Sequence, residues 1–348
     1  MSADGDLVHA NAKRKGLRIA VAVAVGFTWS VLSGAIIPFL GPLFAAQFLI
    51  SSSRPLQLKQ ALGMAILIVI TGALLQAVAI LTGDRPPVLL LLLGLLYFVC
   101  FYLQANGKGG GAIFLVLVVA VMVPLLTVLN RDLGDSILSI LVQGVVSGAI
   151  LMWIAHAVVP DRGSADVQAP APAANPRAAR YAVANAIILL IAVLACLTRD
   201  GLATAIVIPI TVASLLSQLD VIASARAAFG LVLVNLLGGV AASVAFAFLQ
   251  IRPTSPTLFV LVLLAGLVFG GRAALGNSAA KVYAGALTIF LILFGTGVSP
   301  LPGSAAESFA TRVNYILVAI AFTIFMTALL WPGPVRSAED RVSVMKRL

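Results

Sequence analysis

The sequence has very few charged residues. Asp, Glu, Lys and Arg together make up 10% of its 348 residues, whereas 61% of the residues are hydrophobic. An ordinary soluble domain has about 25% charged residues, so this composition cannot supply a water-soluble surface. The scarcity of charge therefore excludes a soluble globular protein and predicts an all-α polytopic membrane protein.

Cysteine and histidine are also rare. Cys100 and Cys196 both lie in apolar runs and are predicted near opposite faces of the membrane, which argues against a disulfide and favours small buried side chains. The only histidines are His9 and His156, and without a cysteine pair they do not make a metal site. We expect no metal and no cofactor.

Acidic residues are missing from the middle of every apolar run. The buried carboxylate relay that is common in proton pumps is therefore not expected. Proton coupling would have to use acids at the membrane interface, and the candidates are Asp135, Asp200, Asp220 and Glu307.

Motifs for enzymatic chemistry are absent as well. The segment GKGGG at 107–111 lacks the glycine spacing and the hydroxyl residue of a nucleotide-binding P-loop. No apolar run combines an acid, a base and a nucleophile. We therefore expect no ATP hydrolysis, no other enzymatic activity and no catalytic residue.

Apolar runs of about 15 to 25 residues recur along the whole sequence, each long enough to cross or nearly cross a bilayer as a helix. They predict twelve transmembrane helices, at residues 17–33, 35–51, 59–82, 87–104, 111–129, 135–159, 180–198, 202–217, 225–249, 256–270, 279–297 and 311–332. The second, eighth and tenth are short, and the second contains Pro38 and Pro42. We expect one of these three to be kinked or re-entrant.

The positive charge reports the orientation of these helices. When the loops between the predicted spans are assigned alternately to the two sides of the membrane, 17 of the 22 Lys and Arg residues fall on one side. The positive-inside rule then predicts that both termini of this multi-pass protein are cytoplasmic. The net charge of +10 is explained by topology, so no nucleic-acid partner is expected.

The sequence repeats itself after six predicted spans. KQALGMAILIVITG at 59–72 returns as RAAFGLVLVNLLGG at 226–239, and at the same offset Arg85 matches Arg252. An even number of spans makes the halves parallel, so the prediction is two parallel six-helix repeats. The predicted boundaries are 1–160 for the first repeat, 161–179 for an Ala/Pro-rich cytoplasmic linker, 180–332 for the second repeat and 333–348 for a cytoplasmic tail.

The repeat also selects candidate functional residues. Lys59 and Arg226 are predicted at the inner mouth, and Arg85 and Arg252 at the outer one, as cations that either anchor topology or guide an organic anion. Asn235, which replaces Ile68 of the first copy, is a polar candidate for the substrate path. The repeated glycines are expected to let helices pack closely, and they are Gly63, Gly72, Gly230 and Gly239. Other polar residues inside spans are expected to bond between helices: Gln47, Gln76, Gln104, Gln143, Asn185, Asn314 and His156.

A basic N-terminus, the segment GAIIPFLGPLFAAQFL, the basic turn SSSRPLQLKQALG and their recurrence after six spans resemble the fusaric acid resistance and aromatic acid exporter superfamily. The resemblance spans residues 14 to 332 and is greatest to compact bacterial members made of membrane spans alone. It implies a gradient-driven inner-membrane exporter of aromatic or other amphipathic acids and toxic compounds, working with a periplasmic membrane-fusion adaptor of the HlyD type. Larger members carry cytoplasmic domains, which this sequence lacks.

Three functions are compatible with these observations. The first is an efflux permease with its path between the two halves. The second is a passive organic-anion channel, since plant malate channels are distant relatives of the superfamily. The third is a membrane subunit that transports nothing and docks an envelope adaptor. The sequence leaves open whether the protein forms a homodimer in the lipid bilayer.

Overall fold

The computed structural model describes residues 3–52, 54–108, 110–129, 131–160, 178–198, 207–218, 225–276, 280–299 and 309–331. Within these residues the chain forms twelve helical segments and no β-strand. They are α1 (Ala3–Leu32), α2 (Leu40–Ser51), α3 (Leu58–Thr82), α4 (Pro86–Ala105), α5 (Gly110–Leu129), α6 (Arg131–Val158), α7 (Ala178–Leu197), α8 (Val207–Gln218), α9 (Ala225–Ile251), α10 (Ser255–Ala273), α11 (Ala280–Val298) and α12 (Phe309–Leu330).

Each predicted span corresponds to one of these helices. In the part of the chain that the structure describes, six helices are long and apolar enough to cross a membrane, namely those in α1, α3, α4, α6, α7 and α10. The other six contain shorter apolar stretches. Twelve helices in the described residues fit the prediction, and the protein is of the multi-pass membrane type. The predicted linker at 161–179 and tail at 333–348 lie almost wholly outside the described residues.

The prediction for the second span was wrong at its start. Its helix begins at Leu40, because residues 33–39 form turns in which Gly34 has a φ of 72°, a conformation that favours glycine. Pro42 lies in the first turn of α2, where a backbone N–H has no partner within the helix. This proline therefore does not break the helix.

One short helix does carry an irregularity. In α10 the segment Gly266–Gly270 is a π-helical turn between regular helical segments. Such single π turns are rare and often occur at functional positions. The sequence analysis gave no sign of it beyond the shortness of the tenth span.

Four helices occupy the centre of the molecule: α2, α5, α8 and α11. Along α5 every residue from Leu117 to Val123 is at most 2% exposed, and along α11 the same holds from Ala286 to Leu287 and from Ile289 to Phe294. The remaining helices keep large apolar side chains exposed on one face, as lipid-facing helices do. Helices α2 and α11 pack together, and so do α5 and α8. The first six helices and the last six thus meet in a buried central seam formed by these four helices.

Hydrogen bonds bring the basic segment of α1 to the ends of two other helices. Lys15 donates to the carbonyl of Ile50 at 2.9 Å, and Arg18 donates through Nε to the carbonyl of Val159 at 2.7 Å. The basic segment of α1 therefore lies beside the C-terminal ends of α2 and α6. Cationic donors at these positions complement the unpaired carbonyls and the negative dipole of a helix end.

Helices α1 and α10, from different halves, approach each other closely. A Cβ at Gly16 would lie 2.7 Å from the Cα of Gly271, and a Cβ at Gly266 would lie 2.7 Å from the Cα of Ala20. Gly16 and Ala20 are four residues apart on α1, and Gly266 and Gly271 are five apart across the π-helical turn of α10. Small residues spaced in this way let helices in lipid pack backbone against backbone. This pair of helices has no room for a side chain at the crossing.

We predict that Gly266→Ala destabilises the protein and that Gly63→Ala does not. The new methyl group at residue 266 meets backbone atoms of α1, and such overpacking costs about 1–3 kcal/mol. A methyl group at residue 63 meets nothing within 4 Å, and alanine favours an exposed helix by about 1 kcal/mol over glycine. Free energies of unfolding from SDS titration in mixed micelles measure both. Equal stability of the two variants would contradict the close crossing.

Candidate functional site

The predicted cations lie at the ends of helices. Lys59 is exposed in the first turn of α3, and Arg85 is the exposed residue that caps the start of α4. Arg252 follows α9 and lines a groove of about 380 Å³ together with Phe248 and Leu261. Within the described residues these three cations lie apart, on helices α3, α4 and α9, and do not form one cluster.

Several candidates fall where the structure describes no side chain. Arg226 and Asn235 lie on α9, and Asp135 lies on α6, but their side chains are outside the described residues. Asp200, Asp220 and Glu307 lie outside the described residues entirely. Their predicted roles in the substrate path and in proton coupling therefore stay predictions.

The glycines of the repeated segment differ in their surroundings. A Cβ at Gly72 would collide with the side chain of Leu138 on α6, whereas at Gly63 it would meet nothing within 4 Å. At Gly239 the nearest atom is Cδ2 of Leu293, 4.0 Å away. The side-chain surroundings of Gly230 are not among those described. Close helix packing is thus seen at Gly72 and not at Gly63.

Three of the predicted polar residues bond between helices. Gln104 Nε2 donates to the carbonyl of Ser217 at 2.8 Å, and Asn185 Oδ1 accepts from Trp331 Nε1 at 2.9 Å. The third, Gln47, bonds across the central seam. Gln143 and His156 have their described bonds within their own helix, and Asn314 is exposed.

The polar contact across the seam joins Gln47 on α2 to Thr288 on α11. Gln47 Nε2 donates to Thr288 Oγ1 at 3.1 Å, and that hydroxyl donates to the carbonyl of Ala284 at 3.0 Å. Thr288 is 2% exposed. A polar group at this depth must find a partner inside the protein because lipid offers none. The pair is therefore a fixed, satisfied contact in an otherwise apolar seam.

A second irregular feature lies on α5. Pro124 is inside this helix and has no N–H, so the carbonyl of Ala120 loses the partner that a regular helix would provide. Tyr97 on α4 supplies a replacement, because its hydroxyl donates to Ala120 O at 3.1 Å. Tyr97 is fully buried. The central helix is thus interrupted in its hydrogen bonding and held by a neighbouring helix.

Helix α8, one of the four helices that form the seam, carries buried serine and threonine residues. Thr211 and Ser214, three residues apart on one helix face, are both completely buried. The Oγ1 of Thr211 has no hydrogen-bond partner in the described structure. Together with Gln47 and Thr288, these residues are among the polar groups of the central helices, which also include Thr127 on α5 and Thr296 on α11.

The sequence analysis missed most of this arrangement. It named Gln47 only as one polar residue among several, and it did not single out Tyr97, Pro124 or Thr288. The proline within a predicted span was a readable signal, since proline interrupts helical hydrogen bonding and needs a compensating donor. The partner of Gln47 had no local signal, because Thr288 is 241 residues away in the sequence.

Comparison with known proteins gives one match. Residues 15–154 match the family model described as a protein of unknown function (DUF2955). The matched segment runs from the basic part of α1 almost to the end of α6. No curated protein and no solved structure matches the chain.

We predict that the cost of Tyr97→Phe depends on Pro124. In the native sequence the substitution leaves the buried carbonyl of Ala120 without a donor, which costs about 1–3 kcal/mol. In a Pro124→Ala background the alanine N–H can restore the helical bond, so the same substitution should cost much less. A double-mutant cycle of unfolding free energies measures the difference. An equal cost of Tyr97→Phe in both backgrounds would contradict the arrangement.

Proposed function

We propose that this protein is a permease of the bacterial inner membrane that exports aromatic or other amphipathic organic acids and toxic compounds. The observation that carries the proposal is the buried central seam, in which two helices of each half pack across one polar pair. Transporters built from two halves place their substrate path at such an interface. A gradient would drive the movement, because the sequence contains no P-loop.

We further propose that the two halves are parallel repeats, and the helix contacts support this. Each pair in the first half has a counterpart six helices later: α1 with α2 and α7 with α8, α3 with α5 and α9 with α11, α2 with α6 and α8 with α12. The contacts between the halves are paired in the same way, since α4 packs on α7 and α10 on α1. The family match covers almost the whole first half and ends there.

Local geometry supports the repeat independently. Arg18 contacts Val159 where α1 meets the end of α6, and Asn185 contacts Trp331 where α7 meets the end of α12. Arg18 and Asn185 are 167 residues apart, which is the offset of the repeated sequence. Gly107 and Gly276 both have positive φ, 67° and 68°, just after α4 and α10. The repeat would therefore extend to helix ends as well as to helix order.

The closed state of the seam favours a gated permease over an open channel. An open pore would leave a wall of some central helix accessible, but α5 is at most 2% exposed from Leu117 to Val123. Passage through the seam therefore requires the halves to separate, as in alternating access. Proline-interrupted α5 and the single polar pair are the parts of the seam that such a separation would rearrange.

The orientation and the partners extend the same proposal. The helix ends that gather Lys15 and Arg18 would face the cytoplasm by the positive-inside rule. Lys59 and Arg226 would then collect anions at the cytoplasmic mouth, with Arg85 and Arg252 on the far side. A periplasmic membrane-fusion adaptor is the partner that the resemblance to aromatic acid exporters implies.

We predict that Lys59→Ala and Arg226→Ala each slow anion transport. The probe is naphthalenesulfonate, which stays ionised and crosses lipid poorly, and its uptake into proteoliposomes is followed under an imposed pH gradient. Loss of one attractive unit charge about 4 Å away in water corresponds to about 1 kcal/mol, or about a fivefold lower rate.

The control for this experiment is Lys108→Ala, which removes an exposed cation that follows α4 and lies outside the candidate set. It should transport at the native rate. Native rates in both Lys59→Ala and Arg226→Ala would contradict their role at the mouth. No uptake by the native protein, with or without a gradient, would contradict the permease and favour a subunit that only docks a partner.

A further inference from the structure

The halves also meet at two peripheral pairs of helices, α1 with α10 and α4 with α7, and these two contacts are unequal. The first is closed by glycines that bring the backbones of α1 and α10 together. Behind it the rings of Phe27 and Phe294 lie with centroids 5.4 Å apart, and Phe290 stacks on Phe294 at 5.3 Å. Aromatic packing and backbone contact leave no opening on this side.

The contact between α4 and α7 carries a surface groove. A groove of about 610 Å³ runs between the two helices, which is within the size range of sites for small organic ligands. Its wall is apolar throughout and consists of Pro87, Leu90, Leu91, Gly94, Leu95 and Phe98 on α4 with Val183, Ala186, Ile187 and Leu190 on α7. Leu91 and Leu95 are 73% and 59% exposed, so the groove is open to its surroundings.

A cation lies near the α4 wall of this groove. Arg85 caps α4 and is exposed, and Pro87, two residues later, already belongs to the wall. An apolar trough with a guanidinium nearby has the two features that an amphipathic anion requires, namely a surface for its hydrocarbon or aromatic part and a fork of donors for its acid group.

The groove is also next to the central seam. Helices α4 and α7 both pack on α5, and α5 packs on α8 across the seam. One layer of helices therefore separates the groove from the middle of the molecule. On the opposite side, the crossing of α1 and α10 is closed by backbone contact, so access from the bilayer would be one-sided.

We propose that the groove between α4 and α7 is a lateral binding site that receives amphipathic organic anions from the bilayer, with the apolar part between the helices and the acid group at Arg85. The groove alone supports the binding of the anion. The passage of the bound anion from the groove into the seam rests on the proposed permease function. The occupant is a small organic anion, since the groove volume is in the range of small-ligand sites. An anionic phospholipid has the same two parts, and competition by a soluble aromatic acid in the experiment below separates the two.

Photolabelling of the full-length protein in liposomes tests this site. The probe is para-benzoylbenzoate, an aromatic acid that carries a photoreactive ketone, and its neutral counterpart is para-benzoylbenzamide. Adducts are mapped by mass spectrometry, with and without excess biphenylcarboxylate as a competitor. We expect adducts concentrated at Leu91, Leu95, Val183 and Ile187, and we expect the competitor to suppress them.

Two variants separate the apolar and the charged parts of the site. Gly94→Leu fills the groove and should reduce labelling by both probes, whereas Gly63→Leu adds the same bulk where nothing lies within 4 Å and should leave it unchanged. Arg85→Gln should lower labelling by the acid about fivefold and leave labelling by the amide unchanged. Elution of each variant as a single species in size-exclusion chromatography checks that it is folded.

Adducts spread evenly over the exposed faces of the helices, or adducts that the competitor does not reduce, would overturn the proposal, since both indicate probe dissolved in lipid or sites held by phospholipid. This result leaves the permease function untouched if naphthalenesulfonate uptake is intact. Competed labelling of the groove by a protein that transports nothing would support the site and contradict the permease.

Discussion

The structure depends on the absence of a hydrophobic force between helices that are already in lipid. Outer and inner side chains are equally apolar, as Leu81, 81% exposed, and Leu293, fully buried, illustrate. Association must therefore come from close packing and from a few hydrogen bonds between helices. In this protein the close packing includes the crossing of α1 and α10, and the bonds include those of Gln47, Gln104, Tyr97 and Asn185.

The same constraint connects the fold to the proposed transport. The described side-chain bonds between the halves include those of Gln47 with Thr288 and of Gln104 with Ser217. Separation of the halves would have to break such bonds. The crossing of α1 and α10, with its backbone contact, would keep the halves together during that motion, while α4 and α7 form a groove on their outer surface.

The number of helices could be predicted from the sequence, because run length in a bilayer is set by the thickness of the hydrocarbon core. The prediction failed at the start of the second span, because residues 33–39 form turns and the helix begins only at Leu40. The central position of α2, α5, α8 and α11 could not be predicted, since lipid-facing and buried helices have similar compositions. Gly63 and Gly72 have equivalent sequence signals, yet only Gly72 packs on another helix, because the neighbours of a glycine come from distant segments. The cations were found at helix ends as expected, but the groove beside Arg85 depends on α7 and had no local signal.

The most direct test of this account is a reversible cross-link between α2 and α11 across the seam. Gln47→Cys and Thr288→Cys, in a background with Cys100→Ala and Cys196→Ala, can be joined by a short bis-methanethiosulfonate reagent and released by dithiothreitol. The account predicts that joined protein takes up naphthalenesulfonate no faster than liposomes without protein, and that reduction restores the rate. Uptake by the joined protein at the rate of the unjoined protein would contradict a path through the seam.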